Sequence, residues 1–297
     1  MTNIQWDNLT HLTLHSIFIS DSLHILRKTP QLVICNVSGF WQPWLGFYGQ
    51  QNIGAPVVTS LRSLQLLNRD LTSADDYLNN IIAPRLEELR LPKSYNPSTE
   101  VITSFFRRSA SSLRSFSMDF RRFSPDLERF MIFFQSMNTV SIISITETAS
   151  VGLSYPENIT PDYYDLQNIF QLVAKVLFSQ STFPQQGFLP NLKILEYTGV
   201  GGKMCLPAGN LDALYPLPPA DSSVHGPLHL FKLDLRPVTR IPKNMISYLS
   251  RIVERGVTVN VLSKSEDILQ SSIDYYRSRE ESLCRDWADI LDSSLFS

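Results

Sequence analysis

A chain of 297 residues with 43% hydrophobic and 18% charged residues has the make-up of an ordinary folded protein, which excludes a disordered polymer and a long coiled coil. Its net charge of −2 gives no footprint for a nucleic-acid backbone, and pairs such as Arg107/Arg108 and Arg121/Arg122 are too short to form a basic stripe. No run reaches the roughly 18 apolar residues of a membrane span, and residues 1–30 lack the basic and apolar regions of a secretory leader.

The first predicted element is a strand carrying Leu9, Leu12 and Leu14 in the spacing LxxLxL. The same spacing returns at Leu61/Leu64/Leu66, Leu86/Leu89/Leu91 and Leu230/Leu233/Leu235. Looser copies stand at Leu32/Cys35/Val37, Leu113/Phe116/Met118, Met137/Val140/Ile142 and Leu192/Leu195/Tyr197. First positions fall at 9, 32, 61, 86, 113, 137, 192 and 230, giving steps of 23, 29, 25, 27, 24, 55 and 38 residues. Five of these seven steps match the roughly 20 to 29 residues of one leucine-rich coil, and the last two are a coil plus an insertion.

Between strands the apolar spacing becomes helical. Asp21 to Lys28 carries Leu23, Ile25 and Leu26 and stops at Pro30, and Thr72 to Ala83 carries Leu78, Ile81 and Ile82 and stops at Pro84. Further helices are predicted at 100 to 111, 125 to 136, 163 to 179 and 242 to 254, the second opened by Ser124 and Pro125. Val257, Val259 and Val261 give a last strand, and residues 266 to 292 read as one or two amphipathic helices. There Tyr275, Leu283, Trp287 and Leu291 would pack down as a cap.

The expected fold is therefore α/β, a leucine-rich-repeat solenoid or horseshoe with parallel strands on the concave face and helices on the convex face. Residues 1–262 would form about eight to nine coils, interrupted by insertions at 38–57, 146–162 and 205–227, and 263–297 the C-terminal helical cap. No comparable cap precedes Leu9, so the first coil is expected to be covered by upstream sequence or by a neighbour.

Chemistry is hard to find in this chain. Gly199-Val200-Gly201-Gly202-Lys203 follows a predicted strand, but Tyr197 and Met204 stand where a phosphate loop needs Gly and Ser or Thr. His11 and His15 lack a third ligand for a metal, and Cys35, Cys205 and Cys284 are scattered without a CxxC spacing. No nucleophile elbow or placed carboxylate pair is recognisable. The expectation is a non-enzymatic protein without cofactor or metal, in a reducing cytoplasmic or nuclear compartment.

What remains is a surface. In LxxLxL the residues flanking the second apolar position, and the one following the third, point away from the core. The expected protein-binding set is His11, Thr13, His15, Asn36, Gln65, Glu88, Arg90, Ser115, Ser117, Asp119, Ser141, Glu196, Lys232, Asp234 and Arg236. Ile34, Ser38, Ser63, Leu67, Pro92, Thr139, Ile143, Ile194 and Thr198 complete the predicted face. The aromatic run of the first insertion, with Trp41, Trp44, Phe47 and Tyr48, is a second candidate anchor for a partner.

The segments WDNLTHLTL, LHILRKTPQLVICNV, LRSLQLL, LEELRLP and SLRSFSM resemble the degenerate leucine-rich repeats of F-box-like proteins from mushroom-forming fungi, over roughly residues 6 to 262. The resemblance implies a protein-protein interaction module, the substrate-recognition repeats of an F-box-type ubiquitin-ligase receptor. In that family an F-box ahead of the repeats would dock on a Skp-type adaptor and cullin. Nothing ahead of Trp6 could form an F-box, so the resemblance implies a Skp-type adaptor and cullin as partners only if an F-box lies upstream. The alternative is a stand-alone repeat scaffold with no ubiquitin-ligase link. Either is expected to be a monomer that binds a protein, with no membrane or nucleic acid involved.

Overall fold

The computed structural model describes residues 5–41, 55–67, 71–91, 98–109, 111–120, 134–148, 164–182, 188–200, 211–217, 228–236, 238 and 240–279. Ten strands form one open sheet in sequence order: β1 (His11–Phe18), β2 (Ile34–Trp41), β3 (Ser63–Leu66), β4 (Glu88–Leu91), β5 (Ser115–Phe120), β6 (Ile142–Thr148), β7 (Ile194–Val200), β8 (Leu230–Arg236), β9 (Thr258–Ser263) and β10 (Glu266–Asp267). Every pairing from β1 to β9 is parallel, and β10 turns back antiparallel on β9. Parallel neighbours need long crossovers, and most of these contain a helix: α1 (Ile19–Lys28), α2 (Leu71–Asn79), α3 (Thr99–Ser109), α4 (Tyr164–Thr182), α5 (Leu211–Leu214) and α6 (Lys243–Val253). A further helix, α7, covers residues 268–279.

The strands are aligned so that like positions stack. Leu12, Cys35, Leu64, Leu89, Phe116, Ile143, Leu195, Phe231 and Val259 form one continuous row across nine strands. Two residues on, Leu14, Val37, Leu66, Leu91, Met118, Ile145, Tyr197, Leu233 and Val261 occupy a second row. Side chains alternate along a strand, so both rows fall on one face. That face packs into a single core with the helices' apolar stripes.

The helices follow from their sequences. On α6, Met245, Tyr248, Leu249 and Ile252 are buried at the i, i+3, i+4, i+7 spacing of one face, and the Pro242 carbonyl accepts from the Met245 and Ile246 amides at 3.0 Å. On α1, Leu23 and Leu26 are buried while Arg27 and Lys28 occupy the last turn, where the helix dipole favours cations. Thr29 then ends the helix, its hydroxyl donating to the carbonyls of Ile25 and Leu26 at 3.2 and 3.3 Å. Aromatic rings tie the later elements together: Phe170 of α4 meets Tyr248 of α6 edge-on at 5.4 Å and Phe231 of β8 at 6.3 Å.

A repeated turn sets the phase of each strand. The amide of the first apolar residue donates to the carbonyl three residues earlier at Leu9–Trp6, Leu32–Thr29, Leu61–Val58, Leu86–Ala83, Val140–Met137 and Leu192–Leu189, over 3.1 to 3.4 Å. This corrects the sixth copy. The sequence suggested Met137/Val140/Ile142, whereas the fold uses Val140/Ile143/Ile145, all buried. A shift of three reverses the faces, so Ile143 lies in the core and Ile142 faces outward. The eighth copy is Leu228/Phe231/Leu233, two residues ahead of the predicted phase; a shift of two keeps Leu233 and Leu235 in the core, but Leu230, expected there as the first leucine, faces outward and Phe231 faces in.

Other boundaries also move. Residues 38–41 of the first predicted insertion belong to β2, 146–148 of the second to β6, and 211–214 of the third to α5. The helix expected from 72 to 83 ends at Asn79, leaving Ile82 to bridge Val57. The helix predicted at 125 to 136 lies mostly outside the described residues. The described start of the C-terminal segment packs on the stretch before α6: buried Ser272 of α7 accepts from the Ile241 amide at 3.1 Å, and the Arg240 guanidinium sits 3.8 Å from the Tyr275 ring centre. Leu283, Trp287 and Leu291 lie outside the described residues.

Cys35, Tyr77 and Ser22 form a polar cluster inside the core. Burial pushes the Cys35 thiol up to about 12, opposed by a hydrogen bond with Tyr77. The Tyr77 hydroxyl is itself raised well above its ordinary value, chiefly by burial, and accepts from Ser22 at 3.3 Å.

Two outcomes follow. Ile143→Ala should cost about 2 to 5 kcal/mol and Ser141→Ala under about 0.5 kcal/mol in urea melts; equal, mild effects would restore the predicted phase. With Cys205 and Cys284 replaced by Ser, Cys35 should resist a thiol reagent until the protein is denatured. Because its folded value is raised, the neutral thiol contributes fully below the unfolded value of 9.0, and that contribution should be lost as pH rises toward about 12. Prompt labelling of the folded protein would contradict this.

Candidate functional site, the outward face of the sheet

The face opposite the core carries the alternate residues of every strand. Its central row reads Thr13, Asn36, Gln65, Arg90, Ser117, Ser144, Glu196, Lys232 and Asn260, each directly beside the next in register. Thr13 is exposed and the rest are half-buried. A second row begins each strand: His11, Ile34, Ser63, Glu88, Ser115, Ile142, Ile194, Leu230 and Thr258. A third row includes His15, Ser38, Thr146, Thr198 and Asp234.

Thus His11, Thr13, His15, Asn36, Gln65, Glu88, Arg90, Ser115, Ser117, Glu196, Lys232 and Asp234 lie on the expected face. Asp234 is nearly covered, at 8% exposure. Asp119 and Arg236 sit in β5 and β8, their side chains outside the described residues. Ser141 does not belong to the face. It precedes β6, where its amide donates to the Arg114 carbonyl at 2.8 Å and its hydroxyl at 3.2 Å. Its place is taken by Ile142, Ser144 and Thr146, which sequence reasoning missed because the apolar residues Val140, Ile142 and Ile143 fit either phase.

Trp41 is not a loop residue: it pairs with Phe18 at the end of β2. Trp44, Phe47 and Tyr48 lie outside the described residues. Gly199 and Val200, from the glycine-rich motif, are inside β7 and paired with Leu235 and Arg236.

Polar contacts pass from strand to strand across the face. Glu196 is held from both sides: Ser144 of β6 donates to its Oε2 at 2.9 Å, and the Lys232 ammonium of β8 lies 3.7 Å from its Oε1. Ser63 donates to Glu88 Oε2 at 3.0 Å in the same fashion. His15 Nδ1 is hydrogen-bonded to the Ser38 hydroxyl, and His11 Nδ1 to that of Thr10 at 2.9 Å. Alongside the Ser144–Glu196–Lys232 row runs an apolar row, Ile142–Ile194–Leu230, half-buried on the same three strands.

The arrangement offers shape, a few oriented charges and an apolar strip. Glu88, Arg90, Glu196, Lys232 and Asp234 mix the two signs, which gives no field for a polyanion. Among the described residues no group of three or more His, Cys, Asp or Glu could hold a metal ion, and no helix is long and apolar enough to cross a membrane. Compared with protein-family models, curated proteins and solved structures, the chain matches none.

The Glu196 contacts are partly exposed, so they position side chains more than they stabilise the fold. Glu196→Gln should change unfolding free energy by less than about 1 kcal/mol in a urea melt. A loss of several kcal/mol would mean that this carboxylate is a structural element of the sheet.

Proposed function

We propose that the chain is a leucine-rich-repeat solenoid whose outward sheet face is the concave side of a horseshoe, and that this face binds a protein partner. The supporting observation is the pair of rows Ile142–Ile194–Leu230 and Ser144–Glu196–Lys232, an apolar strip beside oriented polar groups on three rigid strands. Protein recognition draws on this combination, with apolar contacts giving affinity and satisfied polar groups giving register. The reading extends, on the resemblance of the repeats to fungal F-box-like proteins, to the substrate-recognition half of a ubiquitin-ligase receptor.

Affinity capture of the full-length gene product from source-cell extract, followed by mass spectrometry, tests both levels. Co-purification of a Skp-type adaptor and cullin is expected for a ligase receptor, whereas a stand-alone scaffold would return neither. At either level, Ile194→Arg should lower recovery of the bound partner by about tenfold or more. Lys175→Glu, on the exposed side of α4, should leave it unchanged. Recovery unaffected by Ile194→Arg would remove the outward face from the account.

A further inference from the structure

Two ends of the sheet are finished differently. At one end the two-residue strand β10 turns back on β9 with exposed acidic Glu266 and Asp267, and α7 follows it. Short, charged edges discourage further pairing. At the other end β1 is eight residues long, has a hydrogen-bonded neighbour on one side only among the described residues, and contains no Lys, Arg, Asp, Glu or Pro.

The open side of β1 has a definite chemistry. The Thr10 carbonyl accepts from the Ile34 amide at 3.0 Å, and the Leu14 carbonyl accepts from the Ser38 hydroxyl at 3.4 Å. Even-numbered residues therefore aim their peptide groups at β2, and alternation turns those of His11, Thr13 and His15 toward the open edge. Residues 11–15 also read the same in both directions: His-Leu-Thr-Leu-His. Directly after them Ser16 adopts a φ of 48°, which bends the strand and limits the regular stretch to the palindrome.

From these observations we infer that β1 is a self-association edge, on which a second copy of this chain pairs antiparallel about a two-fold axis at Thr13. That register sets Thr13 against Thr13, His11 against His15 and Leu12 against Leu14. The three residues with available peptide groups become the hydrogen-bonded pairs, giving about six backbone hydrogen bonds. It also completes the core. Leu12 is half-buried and Leu14 retains 9% exposure, whereas the register partners of Leu12 from Cys35 on β2 to Phe231 on β8 are fully buried. The same axis runs the two α1 helices antiparallel, directing the Asp21 end of one toward the Arg27 and Lys28 end of the other. The result departs from the monomer expected from sequence, and it leaves the outward face at β6 to β8 open for its own partner.

Sedimentation and chemical cross-linking test the edge separately from that face. The wild-type chain should sediment at twice 33.8 kDa. With Cys205 and Cys284 replaced by Ser, Thr13→Cys should give a reducible dimer on mild oxidation and Asp267→Cys should not, since paired Cα atoms about 5.5 Å apart suit a disulfide. Thr13→Lys, at an exposed position, should keep the far-UV circular dichroism of the wild type but weaken dimerisation by at least about tenfold, because two ammonium groups would face each other. A monomeric wild type, or a dimer indifferent to Thr13→Lys and not linked through Thr13→Cys, overturns the inference. Neither result bears on capture through Ile194.

Discussion

One backbone contact recurs at each step from β1 to β8 and the rest of the structure depends on it. The carbonyl just ahead of each strand accepts from two successive amides of the next: Thr10 from Val33 and Ile34, Val33 from Arg62 and Ser63, Arg62 from Glu87 and Glu88. Glu87, Arg114, Ser141 and Lys193 continue the series. Each strand is thereby started at the same height as the one before it, and nothing in the contact refers to side-chain identity. Parallel register in turn decides which residues stack. Without it the apolar rows would break and the outward rows would have no continuity.

The side chains convert that alignment into a core and a surface. Rows led by Leu12 and Leu14 exclude water on one side, and single-residue slippage would exchange them for Thr, Ser, Glu and Lys. The outward rows are consequently fixed as firmly as the core, although they add little stability themselves. Ser144, Glu196 and Lys232 meet because three carbonyls upstream placed β6, β7 and β8 level, and not because their own attraction assembled them.

Spacing made most of this legible. Leucine phrases at near-regular intervals give six of the eight predicted copies their correct faces, the eighth being right at Leu233 and Leu235 but not at Leu230, and Pro30, Pro84 and the apolar stripe of α6 mark helices that are present. Reading failed where chemistry was degenerate. From Met137 to Ile145 the chain offers apolar residues at 137, 140, 142, 143 and 145, so two phases satisfy the same pattern. The turn that chooses between them is a backbone hydrogen bond from Val140 to Met137, which has no side-chain signature. Burial of Cys35 with Tyr77 and Ser22 was equally hidden, since these residues come from β2, α2 and α1. Three outward residues, Ile142, Ser144 and Thr146, were lost with the phase, and Ser141 was wrongly put in their place.

Alternation at β6 is the most direct measure of the account, because there the phase of the sequence and the phase of the fold disagree. Single cysteines at Ile142, Ile143 and Ser144, in a chain with Cys205 and Cys284 replaced by Ser, can be compared by their rate of labelling in the folded state. The register predicts fast labelling at 142 and 144 and protection at 143, matching fast labelling at Glu196→Cys and protection at Leu195→Cys on the next strand. Fast labelling at 143 with protection at 142 would contradict it.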